Sequence, residues 1–301
     1  MRNGYQTYAW GVLAYNLGVI LWGAYVRATG SGAGCGSHWP LCNGQVVPRS
    51  PRLETLIEFT HRLSSGLAFI LVLGLLIWAW RIYPRRHQVQ FGAGLAMFFM
   101  VTEALVGAGL VLFELVAKND SLARALSVAI HLVNTFLLLA FLALTAWWAS
   151  SKSTARLSLK TPIGILLMIG ISGMIVLGAS GALTALGDTL FPAASLGEGF
   201  QQDFSPTAHF LIRLRVLHPT LAALVGGYLI LLASLVRLSH QGPLAHSLAA
   251  GLALLVIVQL AAGFINVILL APVWLQMVHL LLADLGWITL VLLTASYRAF
   301  Q

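Results

Sequence analysis

Charge is what this chain has least of. Only 9 % of its 301 residues are charged, against roughly a quarter in a soluble domain, which excludes an ordinary water-soluble fold. Acids are scarcer still, nine against seventeen basic residues. The basic excess forms no stripe along any one segment. It is scattered at the ends of apolar runs, which argues against nucleic acid and for a lipid surface. No targeting extension is visible, and the seven residues before the first apolar run are too few for the charged region and cleavage site of a signal peptide. Cysteine is limited to two residues, Cys35 and Cys42.

Apolar residues fill the rest, 59 % of the chain. Runs of about 18 or more, each able to cross a hydrocarbon core about 30 Å thick, recur at 8–26, 56–80, 91–113, 125–148, 162–183, 212–236, 247–270 and 274–296. The expectation is an all-α integral membrane protein with eight transmembrane helices. Eight spans put both termini on one side of a bacterial plasma membrane. The connections holding Arg81, Arg85 and Arg86, then Lys152, Arg156 and Lys160, then Arg237, contain no acid. By the positive-inside rule they are cytoplasmic, together with the termini. The outward side has basic residues too, so it is their clustering in short loops that decides.

The cysteines then lie in an outward loop, GCGSHWPLCNG. In an oxidising compartment two cysteines seven positions apart can close a small ring, so a disulfide is the first expectation. A zinc site would need four ligands, and His38 is the only other soft one in this loop. A thioredoxin-like centre would have two intervening residues rather than six.

The second half of the chain repeats the first when polar residues inside the apolar runs are compared. EFTHRLSSGLAFILV lies over RVLHPTLAALVGGYL, placing His61 on His218; VTEALVGAG over IVQLAAGFI, placing Glu103 on Gln259 and Gly107 on Gly263; AIHLVN over MVHLLL, placing His131 on His279. Each half has an even number of helices, so the fold expected is two parallel-repeat four-helix bundles, 1–150 and 161–301. The cysteine pair has no counterpart in the second copy.

His61, His131, His218 and His279 each lie about five or six residues into a helix that starts on the outer side. At about 1.5 Å per residue all four rings share one depth. Ionisable groups inside a bilayer are rare and mark sites. Two imidazoles per half, with few carboxylates nearby, leave a bare zinc or iron ion short of ligands; a haem supplies four nitrogens itself and needs only axial imidazoles. Glycines on the neighbouring helices would admit a flat ring, and Arg27, Arg62, Arg213 and Arg215 are candidates to bind its propionates. His38, His87, His209, His240 and His246 lie in loops or at helix ends and are expected to be solvated.

The halves differ at one telling place. Glu58 precedes His61 by three residues, on the same helix face, where the second half has Arg215 before His218. A carboxylate beside a haem can take a proton or stabilise positive charge on a substrate. One site is thus expected to do chemistry and the other to carry electrons. Glu103 and Asp284 are polar links or proton-path residues. Pro219, directly after His218, is expected to kink its helix.

RATGSGAGCGSHWPLCNG, followed by ExxHR at Glu58 to Arg62 and by histidines in every second helix, resembles the haem A synthase family. The resemblance covers essentially the whole chain. It implies that the first half receives haem O, facing His61 and His131, and that His218 and His279 ligate a haem b cofactor. Glu58 would be the catalytic carboxylate, and the C8 methyl of haem O would be oxidised through hydroxylations to the formyl group of haem A, with water as oxygen source. Haem O synthase and a membrane electron acceptor are the partners this activity would require, and self-association is left open. Two competing functions are a two-haem cytochrome b that only carries electrons and a haem transporter. Glu58 and the one-sided cysteine loop speak against the first, and the absence of helices broken at the midplane against the second.

Overall fold

A computed structural model describes residues 2–150, 161–239 and 242–297. Ten α-helices stand among them: α1 (Arg2–Ala28), α2 (Leu53–Ile82), α3 (Gln88–Leu112), α4 (Leu122–Ser150), α5 (Pro162–Leu190), α6 (Leu196–Asp203), α7 (Phe210–Arg215), α8 (Leu217–Leu238), α9 (Pro243–Ile268) and α10 (Val273–Ser296). Eight spans are long and apolar enough to cross a membrane, α7 and α8 together forming one of them. The protein is a multi-pass membrane protein. Lys152, Arg156, Lys160 and His240 fall outside the described residues.

The helices begin and end where local chemistry permits. Pro162 and Pro243 sit in first turns, where no backbone donor is needed. Thr161 caps α5 by accepting from Gly164 N–H at 3.1 Å. His87 caps α3 in the same way, accepting from Val89 N–H; burial and nearby Arg2 lower its pKa, which keeps the ring a neutral acceptor. Every span is longer than its apolar run, although α3 and α9 stop one or two residues short of the run's end.

α7 and α8 are separated by a single turn residue, Val216. Pro219 has no N–H to bond the carbonyl of Arg215 and its ring crowds that carbonyl. The helix therefore breaks one turn before the proline, not at His218 itself. The break lies near the N-terminal end of the span and leaves the midplane intact.

Helices adjacent in sequence pack as neighbours within each half, with α1, α4, α5 and α10 meeting across the seam. The repeat extends to individual backbone bonds. α3 ends with Phe113 N–H to Gly109 O, Glu114 N–H to Val111 O and Leu115 N–H to Leu110 O; α9 ends with Leu269 to Ile265, Leu270 to Val267 and Ala271 to Asn266. These are the same three bonds 156 positions apart, a Schellman-type end with a left-handed residue at Glu114 (φ 54°) and Leu270 (φ 57°). The seam is sealed by Phe136 of α4 stacked on Trp287 of α10, ring centroids 5.0 Å apart. The Trp287 indole N–H donates to Phe136 O at 2.6 Å.

Candidate functional site

Each of the four intramembrane histidines lies against a glycine of the preceding span. A Cβ added at Gly23 would meet His61 Cε1 at 2.8 Å, one at Gly181 would meet His218 Cε1 at 3.0 Å, and one at Gly263 would meet His279 Cε1 at 3.1 Å. His131 is held more loosely, its Nε2 4.0 Å from the same point on Gly107. The glycines are themselves in repeat register, 23 with 181 and 107 with 263. Gly23, Gly181 and Ser180 were not singled out from sequence, although the first two lie within one position of the offset that pairs His61 with His218.

In the second half the rings of His218 and His279 stand 6.4 Å apart between centroids, with planes at 84°. Axial imidazoles bonded at roughly 2 Å to one iron have centroids about 6 Å apart. This pair therefore fits a single haem iron. His218 Nδ1 is bonded to Ser180 Oγ at 3.0 Å, which leaves Nε2 available to a metal. His279 Nε2 meets the Gln259 amide at 3.2 Å, while its Nδ1 is buried without a partner. Among the described residues no three His, Cys, Asp or Glu side chains converge as a bare metal ion requires.

The first half is built differently around its pair. His131 Nδ1 approaches Glu103 Oε1 at 3.3 Å. The Glu103 carboxylate also accepts from Asn134 Nδ2 and Thr135 Oγ1, both at 2.6 Å. Glu103 thus joins the site as a link between α3 and α4. Asp284 does not join it: it is fully buried in α10 with neither carboxyl oxygen bonded.

Glu58, 3 % exposed, sits one turn before His61 on α2. Its Oε2 accepts from the backbone N–H of Cys35 at 2.8 Å, and its Oε1 from Arg62 Nε at 3.1 Å and Nη2 at 2.5 Å. Arg62 Nη1 in turn donates to the carbonyls of His38 and Leu41, each at 2.7 Å. Cys35 and Cys42 are disulfide-bonded, with Cα atoms 4.4 Å apart. The cysteine ring is thereby fastened over α2 by one carboxylate and one guanidinium. Gly34 makes the close approach possible, because a Cβ there would lie 2.5 Å from the backbone of Glu54.

The arginines proposed for propionates have partners of their own here. Arg215 is buried and pairs with Asp188 (3.3 Å) and Asp203 (2.9 Å), binding α6 to the bundle. Arg27 reaches across the seam to Ala185 O (2.6 Å), Thr189 Oγ1 (2.8 Å) and Gln276 Oε1 (3.1 Å). Arg213 is exposed and bonds only Ala208 O among described partners. Of the histidines expected to be solvated, His38 is exposed, whereas His87, His209 and His246 are half-buried and hydrogen-bonded. Helix caps and carbonyls near helix ends use them.

Fold and site together define a class, the multi-pass all-α membrane protein with a pair of facing imidazoles suited to a haem. Within that class the profile of the cytochrome oxidase assembly protein family, COX15-CtaA, matches residues 6–291, and the chain belongs to that family. It is 56 % identical over 289 residues to a protein of Thermus thermophilus named "Protoheme IX farnesyltransferase", a match covering 96 % of this chain and 48 % of that protein. The chain thus spans about half the length of that relative. Proteins named "Heme A synthase" from Shouchella clausii (46 % over 95 residues, 32 % of each chain) and Geobacillus kaustophilus (44 % over 113 residues, 38 % of this chain and 36 % of that protein) are also similar.

Proposed function

We propose that the protein is a haem A synthase, which takes haem O into the half formed by residues 1–150 and oxidises one of its methyl groups to a formyl group. The half formed by residues 161–301 holds haem b between His218 and His279. The observation that carries this reading is the unequal equipment of two matching imidazole pairs. Glu58 and Glu103 stand beside the first, while Arg215 and Gln259 occupy the corresponding places at the second.

The chemistry assigned to each residue follows from charge. Converting the methyl to a hydroxymethyl group with water releases two electrons and two protons. A second such step gives a geminal diol, which loses water to leave the formyl group. Carbon that is losing electrons develops positive character, which the Glu58 carboxylate stabilises while accepting protons. His61 and His131 fix the substrate ring. Bound haem b supplies one-electron transfer toward a membrane electron acceptor. The Cys35–Cys42 ring, on the outward side, closes the substrate half from solvent, and both termini are cytoplasmic. The Thermus relative has as much chain again beyond the matched segment. This supports supply of the substrate by a prenyltransferase that farnesylates protohaem, working beside this protein.

The test is turnover of haem O by purified protein and by Glu58→Gln, which keeps shape but loses the base, a change that costs about 10²- to 10⁴-fold. The variant is expected to retain haem b and accumulate haem O or its hydroxylated product. Haem A formation at the parental rate would reduce Glu58 to an anchor of the cysteine ring, as Arg215 anchors α6. Absence of turnover by the parental protein would favour a two-haem electron carrier.

A further inference from the structure

The Glu103 carboxylate is embedded in a polar cradle that the second half lacks at every position. Thr102 Oγ1 donates to Asn134 Oδ1 at 2.6 Å, and Asn134 Nδ2 divides its hydrogens between Glu103 and Phe99 O. Thr135 Oγ1 completes the set. His131, Asn134 and Thr135 lie at i, i+3 and i+4 on one face of α4, so a single helical turn presents two hydrogen-bond donors and the nearby His131 ring, Nδ1 3.3 Å away, to one carboxylate. Under the repeat, Thr102 and Glu103 fall on Val258 and Gln259, and Asn134 and Thr135 on Leu282 and Ala283. Four polar positions around the first imidazole become one amide around its counterpart.

A buried carboxylate is costly unless its lone pairs are occupied, and here Asn134 and Thr135 of α4 share that task, with the His131 ring close by. The carboxylate oxygen nearest His131 faces Nδ1 at 3.3 Å, which leaves Nε2, beside Gly107, as the nitrogen available to a metal. A ligand histidine backed by a carboxylate is oriented and becomes a stronger electron donor to its metal; such partners are usually worth 10- to 100-fold in affinity or activity. Electron donation from an axial ligand stabilises the oxidised iron.

We propose that Glu103 is the positioning residue of the substrate half: it holds His131 toward the substrate iron and makes it the more electron-rich imidazole, setting haem O at a lower potential than haem b. This rests on the reading of the first half as the haem O site. Its consequence is directional. Electrons leaving the substrate half run downhill to the Gln259-flanked haem.

The experiment uses purified protein carrying haem b and titrated with haem O, comparing parental protein, Glu103→Gln and Thr135→Ala. Affinity is read optically and midpoint potentials by spectroelectrochemistry. Glu103→Gln is expected to bind haem O about 10- to 100-fold more weakly and to move its midpoint to more positive values, with the haem b midpoint unchanged. Thr135→Ala keeps the charge but loosens the cradle, and shifts the same quantities less. Parental affinity and midpoint in Glu103→Gln, or equal shifts of both haems, would overturn the proposal. If Glu103→Gln does not fold, an unchanged midpoint in Thr135→Ala overturns it instead. A parental protein that takes up no haem O fails at the earlier step and sinks the functional reading itself.

Discussion

A glycine opposite an imidazole is a small thing to build a site on, but three of the four contacts here are tighter than ordinary packing would tolerate with any side chain present. Gly23, Gly181 and Gly263 each face the Cε1 edge of a histidine, the edge between its two nitrogens. Pushing there turns the ring and moves both nitrogens at once. Overpacking of this kind typically costs about 1–3 kcal/mol. Gly181→Ala and Gly263→Ala are therefore predicted to keep haem b while altering its low-spin electron paramagnetic resonance signal, because the angle between the imidazole planes changes. Gly227→Ala, where a Cβ meets nothing within 4 Å, should leave the signal alone. Identical signals in all three variants would remove the glycines from the site. The histidines themselves stood out in sequence because ionisable residues are rare in apolar runs. Gly263 stood out only through its repeat partner Gly107, and Gly23 and Gly181 did not, since glycine is common in membrane helices for plain packing.

At the scale of elements, hydropathy was enough to count the spans and too blunt to find their joints. The pattern of apolar runs gave eight crossings because lipid imposes a minimum length on each. It placed a long loop at 184–212, where the structure has the end of α5, all of α6 and the start of α7. α6 was illegible because LGEGFQQD is polar on average. Leu196 and Phe200 of the helix and Phe204 just after it come at helical spacing and are all exposed, a pattern visible only against its neighbours. What fastens α6 is Arg215, whose guanidinium meets Asp203, Asp188, Gln202 Oε1 and Phe191 O. Breaking a buried pair by removing one partner costs about 3–5 kcal/mol, less here because the two carboxylates are partly exposed. Arg215→Met is predicted to release α6, seen as faster proteolysis between residues 191 and 209 with α2 to α4 still protected. Unchanged proteolysis would mean that the apolar face, not the arginine, holds the helix.

Across the whole molecule, the two halves are joined at two depths, and only one joint is apolar. Phe136 and Trp287 make the inner one. Gly178 lets them close up, since a Cβ there would fall 2.7 Å from Phe136. At the end that bears the cysteine loop the joint is Arg27, which belongs to α1 but spends its donors on α5 and on Gln276 of α10. Composition and spacing suggested a propionate ligand, because a sequence shows which helix end bears a cation and not where a long side chain turns. The structure supports a different expectation. Gln276 lies one turn before His279 on the same helix, and its amide also donates to Ala271 O at 2.7 Å. Arg27 therefore steadies the start of the helix that presents the second-half imidazole. Hydrogen bonds to a charged group are worth about 1.5–3 kcal/mol each, so Arg27→Met, which removes three, is predicted to lower thermal stability and to loosen haem b. Heat release of haem b, followed through its Soret band, should occur at lower temperature than in parental protein. Arg213→Met, an exposed cation at the same end, is the control expected to change neither. If Arg27→Met instead weakens haem O uptake alone and leaves haem b release at the parental temperature, then Arg27 serves the substrate's propionates and the outer ends of the halves are held together by other contacts.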